Sequence, residues 1–125
     1  MDVDPTPERF AALLEAAASI EGPVQMVNLL RFAPDGGRES YLRYAATIAP
    51  HLERVGASIT YAGNRREVVI GAEADGWWDA IALVRYPSRA AMIAMFTDPD
   101  YLAITEHRTA ALVETHLIAT EEWVV

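Results

Sequence analysis

The residues of this chain best suited to chemistry at a small molecule are Asn28, His51, His107 and Arg108, together with the phenols of Tyr41 and Tyr44 and the indoles of Trp77 and Trp78. Asn28 sits in the apolar run MVNLL, between Met26 and Leu30. Asparagine is a poor strand residue and must be hydrogen-bonded if buried. It therefore either satisfies neighbouring backbone or holds a substrate carbonyl or oxyanion. His51 and His107 supply the imidazoles that can move protons near neutrality, which makes them candidate acid/base groups as well as candidate structural ones. Arg108 shares a helical face with Tyr101 and Ile104 and needs a carboxylate, either internal (Glu53 or Glu106) or carried by a ligand. His107 stands one step round that helix, at the flank of a pocket. Tyr41 and Tyr44 suit a cleft wall, with a hydroxyl at an apolar boundary. Alternation sends Trp77 and Trp78 to opposite sides of a strand, one into the core or a subunit seam and the other over the cleft. His116 reads as a surface residue.

The sequence lacks the other familiar starting points. It has no GxGxxG, Walker loop, GxSxG or HExxH. There is no cysteine and the three histidines are far apart, so no metal site and no cofactor are expected. Asp98-Pro99-Asp100 reads as a helix cap, and Glu73, Asp75 and Gly76 as a solvated turn.

The elements that must position these groups follow from periodicity. Thr6-Pro7 caps a leading helix with its apolar stripe at Phe10, Leu13, Leu14 and Ala17, ending near Gly22. The run 24 to 32 alternates Met26, Asn28, Leu30 and Phe32 against Gln25, Val27, Leu29 and Arg31, with apolar groups on both faces. After the turn 34 to 37, Tyr41, Tyr44, Ile48, His51 and Val55 mark a long amphipathic helix stopped by Gly56. A strand ASITYAG breaks at Gly63-Asn64 and EVVIG resumes the extended pattern. WWDAIALVRY is a two-faced strand, Pro87-Ser88 ends it, a helical pair follows, and HLIATEEWVV is a last strand.

The order predicts an α+β domain, a ferredoxin-like β-α-β-β-α-β core with an antiparallel sheet over residues 23 to 125, preceded by an N-terminal helical extension over 1 to 22. Helices cover one sheet face in that arrangement, while the strands at 24 to 32 and 78 to 86 are apolar on both. A second copy of the chain packed on the uncovered face, a homodimer, is therefore expected. The chain carries ten arginines and no lysine, with a net charge of -8, which opposes nucleic-acid or anionic-membrane binding. The acidic N-terminus and the absence of cysteine and of any membrane span point to the cytoplasm.

PVQMVNLLRF, GRESYLRYAATIAPHLERVG, the VVIG segment and ALVRYPSRAAMIAMFTDPDYLAITEHRTAALVETHLIAT resemble the domain-of-unknown-function family 1330, over about residues 23 to 120. The resemblance implies the dimeric α/β-barrel superfamily, in which two ferredoxin-like protomers pack sheet to sheet. That wider group includes cofactor-independent monooxygenases, haem-degrading enzymes and muconolactone isomerases. The spacing of asparagine, tryptophan and histidine here does not match the haem-degrading pattern, so haem is not expected. Two functional classes follow. One is a cofactor-independent oxygenase or isomerase of a small aromatic or carbonyl compound, with Asn28 and Arg108 orienting it and His51 or His107 moving protons. The other is a noncatalytic ligand-binding or stress-related dimer using the same cleft.

Overall fold

The structure is a computed structural model that describes residues 4–72 and 78–124. Trp77, and with it the loop carrying Glu73, Asp75 and Gly76, lies outside the described residues. In chain order the elements are α1 (Pro7–Ser19), β1 (Val24–Phe32), α2 (Gly37–Arg54), β2 (Ser58–Asn64), β3 (Ala80–Tyr86), α3 (Arg89–Phe96), α4 (Pro99–Leu102), α5 (Thr105–Ala111) and β4 (Leu112–Thr120).

The strands form one open antiparallel sheet in the order β2-β3-β1-β4, the ferredoxin-like arrangement predicted from the element order. The two hydrophobic runs that alternate on both faces, β1 and β3, are its central pair. Along β1, Val24, Met26, Asn28 and Leu30 are buried beneath the helices, and Val27 and Leu29 on the opposite face are half-buried. Ala80, Ala82 and Tyr86 of β3 are buried on the helix side, whereas Ile81 and Arg85 are exposed on the other.

The helices begin where local chemistry supplies the missing partners for their first N–H groups. Thr6 Oγ1 accepts from Arg9 N at 3.2 Å, and Ser88 Oγ from Ala91 N at 3.0 Å. Asp98 Oδ1 accepts from Asp100 N at 2.8 Å, capping the single turn of α4. α2 opens instead on Gly37, which meets the end of α5: a Cβ there would lie 2.7 Å from the Ala111 carbonyl oxygen. The close approach is sealed by Ala33 N donating to the same oxygen at 2.8 Å, and it holds α2 and α5 together on one side of the sheet.

Tyr44, Ile48 and Leu52 of α2 pack with Val24, Met26 and Tyr86 from the sheet and Met92, Met95 and Tyr101 from α3 and α4. A second cluster joins Leu30 and Ala80 to Ala111 and Leu112.

Two extended segments depart from the sequence pattern. EVVIG forms no strand, and Val69 and Ile70 are almost fully exposed. β2 takes the place beside β3 and is itself the sheet edge, and this β-branched run follows it without pairing to any strand among the described residues: propensity alone does not make a strand. The irregularity in β2 falls between Ile59 and Tyr61 instead of at Gly63-Asn64. The last strand starts at Leu112, four residues earlier than His116, because Arg31 and Leu30 of β1 pair with Glu114 and Thr115. It ends at Thr120, leaving Trp123 exposed beyond it.

Candidate functional site

Between the sheet and its helices lies a cleft of about 1090 Å³, just above the range of about 300–1000 Å³ typical of small-molecule sites. Its floor is the inward face of β1 and β3, including Met26, Asn28, Ala82 and Tyr86, and its roof is α2 with the segment from α3 to α5. Four of the residues singled out in the sequence stand on its wall: Asn28, Tyr41, Tyr44 and Arg108.

Asn28 is buried, and its Nδ2 donates to the Ala82 carbonyl oxygen on the neighbouring strand at 3.2 Å. The backbone-satisfying alternative is the one seen in the geometry. The amide nitrogen satisfies the backbone of β3.

The polar centre of the cleft is a pair of phenols. Tyr44 and Tyr101 hydroxyls are 2.9 Å apart and buried, and either can donate to the other. Two hydroxyls carry two protons, and their mutual bond uses one, so the pair keeps one donor to offer. Burial pushes the ionisation of Tyr44 and Tyr101 up, and does the same at Tyr41 and Tyr86. Arg108 acts in the opposite direction on all four without reversing the result. The phenols therefore stay protonated and act as donors.

Aromatic contacts fix the rings. Tyr41 lies 5.7 Å from Phe32 and 5.4 Å from Tyr44, and Phe96 stacks on Tyr101 at 5.7 Å. Arg108 is largely buried and 4.0 Å from Asp4, a partner the sequence did not point to. Arg38 closes one end: its guanidinium sits 4.7 Å above the Phe32 ring and donates to Asn64 Oδ1.

The other predicted residues stand elsewhere. His51 is half-buried behind the pair, its ring centroid 6.3 Å from that of Tyr101 in an edge-on arrangement, and its buried Nδ1 has no hydrogen-bond partner among the described residues. His107 is exposed, and its carbonyl oxygen accepts from Ser40 Oγ at 3.5 Å. Neither imidazole is on the cleft wall. Trp78 meets His116 edge-on at 5.1 Å. His116 pairs with Leu29, which places both rings at the uncovered face of the sheet. Trp77 lies outside the described residues.

Tyr101 and Tyr86 were not among the predicted site residues, although each carried a signal. Tyr101 shares the helical face of Arg108, and Tyr86 shares the strand face of Ala80 and Ala82. Nothing in the sequence joins Arg38 to Asn64. Among the described residues, no group of three His, Asp or Glu side chains could hold a metal ion, and no helix is long and apolar enough to cross a membrane.

The family model DUF1330, a domain of unknown function, matches residues 36–122. No curated protein matches the sequence. A solved protein of unknown function from Rhodopseudomonas palustris is 34% identical, with 98% of each chain covered and a TM-score of 0.85. A dimeric ferredoxin-like protein of unknown function from Jannaschia sp. CCS1 is 11% identical, with 81% of this chain and all of that one covered, at a TM-score of 0.62. The hydroxynitrile lyase of Passiflora edulis is 13% identical over 81% of this chain and 94% of its own, at a TM-score of 0.62.

Proposed function

The chain belongs to the DUF1330 family, and on that premise we propose that its sheet-helix cleft binds a small, largely apolar molecule through one hydrogen-bond-accepting group, a carbonyl or a carboxylate. The observation that carries this reading is the buried Tyr44-Tyr101 pair, held protonated, with a donor to spare in an apolar cleft. Arg108 adds positive charge beside it. A buried donor rewards an acceptor strongly and penalises a ligand that lacks one. Calorimetric titration with acetophenone and with ethylbenzene, which has a similar shape and no acceptor, tests the reading. Acetophenone should bind about tenfold tighter or better, and the gap should close in the Tyr44→Phe/Tyr101→Phe double variant. Equal affinity of the two ligands for the unaltered protein would refute it.

The geometry favours binding over turnover, because the imidazoles assigned to proton transfer are off the cleft wall. Catalysis as a cofactor-independent oxygenase or isomerase of a small aromatic or carbonyl compound is the second reading. It draws on the same neutral donors, which can polarise a carbonyl, and on a hydroxynitrile lyase sharing the fold. Turnover that is lost in Asn28→Ala and in His51→Ala would favour it.

The same proposal includes a homodimer in the cytoplasm, formed through the uncovered sheet face. Its support is the apolar row Val27, Leu29, Ile81 and Leu83, together with a relative of the same fold described as dimeric.

A further inference from the structure

A second cleft, of about 690 Å³, lies beneath α1, bounded by α3 and by the inward side of β1 and β4. Asp4, Phe10, Met26, Phe96, Arg108 and Leu117 are among the residues common to its wall and to that of the tyrosine-lined cleft. Leu13, Ala16 and Met92 make much of the rest apolar. Its charges run against those of the whole chain: three arginines, Arg9, Arg89 and Arg108, line it with one carboxylate, Asp4, in a protein of net charge -8.

Arg89 is the informative member. It follows the capping Ser88, which fixes the start of α3, and its side chain runs inward under α1 with 8% exposure. One nitrogen, Nη2, lies 3.5 Å from Glu121 Oε1, at the limit of a hydrogen bond, and that glutamate is 59% exposed. The other, Nη1, is buried with no hydrogen-bond partner among the described residues. A buried guanidinium is costly unless its charge and its N–H groups are matched. This one is matched on one side only, weakly, and Arg89 lines a cavity large enough to admit a ligand.

We propose that the cleft beneath α1 is a binding site for a small carboxylate with an apolar body, whose carboxylate pairs with Arg89. A planar carboxylate fits the guanidinium fork with two parallel bonds, satisfying Nη1, and the hydrocarbon part lies against Leu13, Met92 and Phe96. The arginine-rich lining concentrates anions that the chain as a whole repels. The clefts share Arg108, but Arg89 lines only this one and the tyrosine pair only the other, so each reading can fail without the other.

Octanoate is a suitable probe, followed by calorimetry and by amide chemical shifts, with octanamide as its neutral counterpart. Octanoate should bind saturably, shift the amides of α1 and of residues 89 to 92, and bind at least about tenfold tighter than octanamide. Arg89→Met should weaken octanoate by about tenfold or more while folding as stably as the unaltered protein, since a buried, half-paired charge is removed. Octanoate binding that is absent, equal to that of octanamide, or unchanged in Arg89→Met would overturn the proposal. So would shifts confined to Asn28, Tyr44 and Tyr101. The comparison of octanoate with octanamide uses the unaltered chain, so it decides the question even if the variant does not fold.

Discussion

The two faces of the sheet begin from similar sequence and end in different states. On β1, Met26, Asn28 and Leu30 lie under helices, and the alternating neighbours Val27 and Leu29 on the other face are only half-buried. The covered face encloses polar groups within an apolar layer: a backbone-bonded asparagine, a hydroxyl pair and an arginine around a cavity. The uncovered face presents apolar groups to its surroundings, rimmed by Arg31 and Arg85. The difference separates two kinds of partner. Enclosed donors with space in front of them suit a small molecule, whereas an apolar strand surface suits another protein surface.

The strongest break of this comparison is in the covered core. Met92 is fully buried, and Met92→Ala should cost about 2–5 kcal/mol, read as a lower denaturant midpoint with an unchanged slope. Glutamate at Leu83 should leave the protomer folded but weaken self-association by about a hundredfold or more, because an ionised carboxylate would enter an apolar seam. Sedimentation velocity checks this. A variant as dimeric as its parent would move the proposed seam elsewhere, and a monomeric parent would refute the homodimer.

Tyr101→Phe separates packing from hydrogen bonding on the covered face. It keeps the ring stacked on Phe96 and leaves the Tyr44 hydroxyl without its partner, for a loss of about 1–2 kcal/mol. The same phenols set an alkaline limit. Their ionisation is raised in the folded state, so their contribution to stability is complete below the unfolded tyrosine range. It is lost as pH rises above about 10, where the unfolded chain releases protons that the folded chain still holds. Each such tyrosine should steepen the loss by about 1.4 kcal/mol per pH unit, and Tyr101→Phe should remove one share of that slope.

The smallest effect is at Asp98. The N–H of Asp100 and the guanidinium of Arg54, 2.9 Å away, hold its carboxyl below the usual carboxylate range. Its contribution is therefore present above the unfolded value and fades as pH falls through the folded one. Asp98→Asn should lower the melting temperature slightly at pH 7, with the difference vanishing in acid.

Much of the fold was legible in the sequence because its strongest signals are local. The alternation of 24 to 32, the Thr6-Pro7 and Pro87-Ser88 boundaries and the stripe of α2 are each set by near neighbours. EVVIG and the start of β4 were misread because strand formation there depends on which edge is free and on the register with β1, neither of which is a local property. The site divided in the same way. Asn28, Tyr41, Tyr44 and Arg108 could be placed on inward faces by period. The Tyr44-Tyr101 bond and the Arg38-Asn64 contact join residues far apart in sequence, and His51 falls just outside the cleft because α2 turns Tyr44, Ile48 and Leu52 inward as its buried stripe.

The role proposed for the covered face is to receive a small acceptor-bearing molecule through its tyrosine pair. The most direct test is an amide and side-chain NMR titration of the unaltered protein with acetophenone. Saturable shifts are expected at Asn28, Tyr44 and Tyr101, lost in the Tyr44→Phe/Tyr101→Phe double variant. Shifts that avoid these residues, or that persist in the double variant, would contradict it.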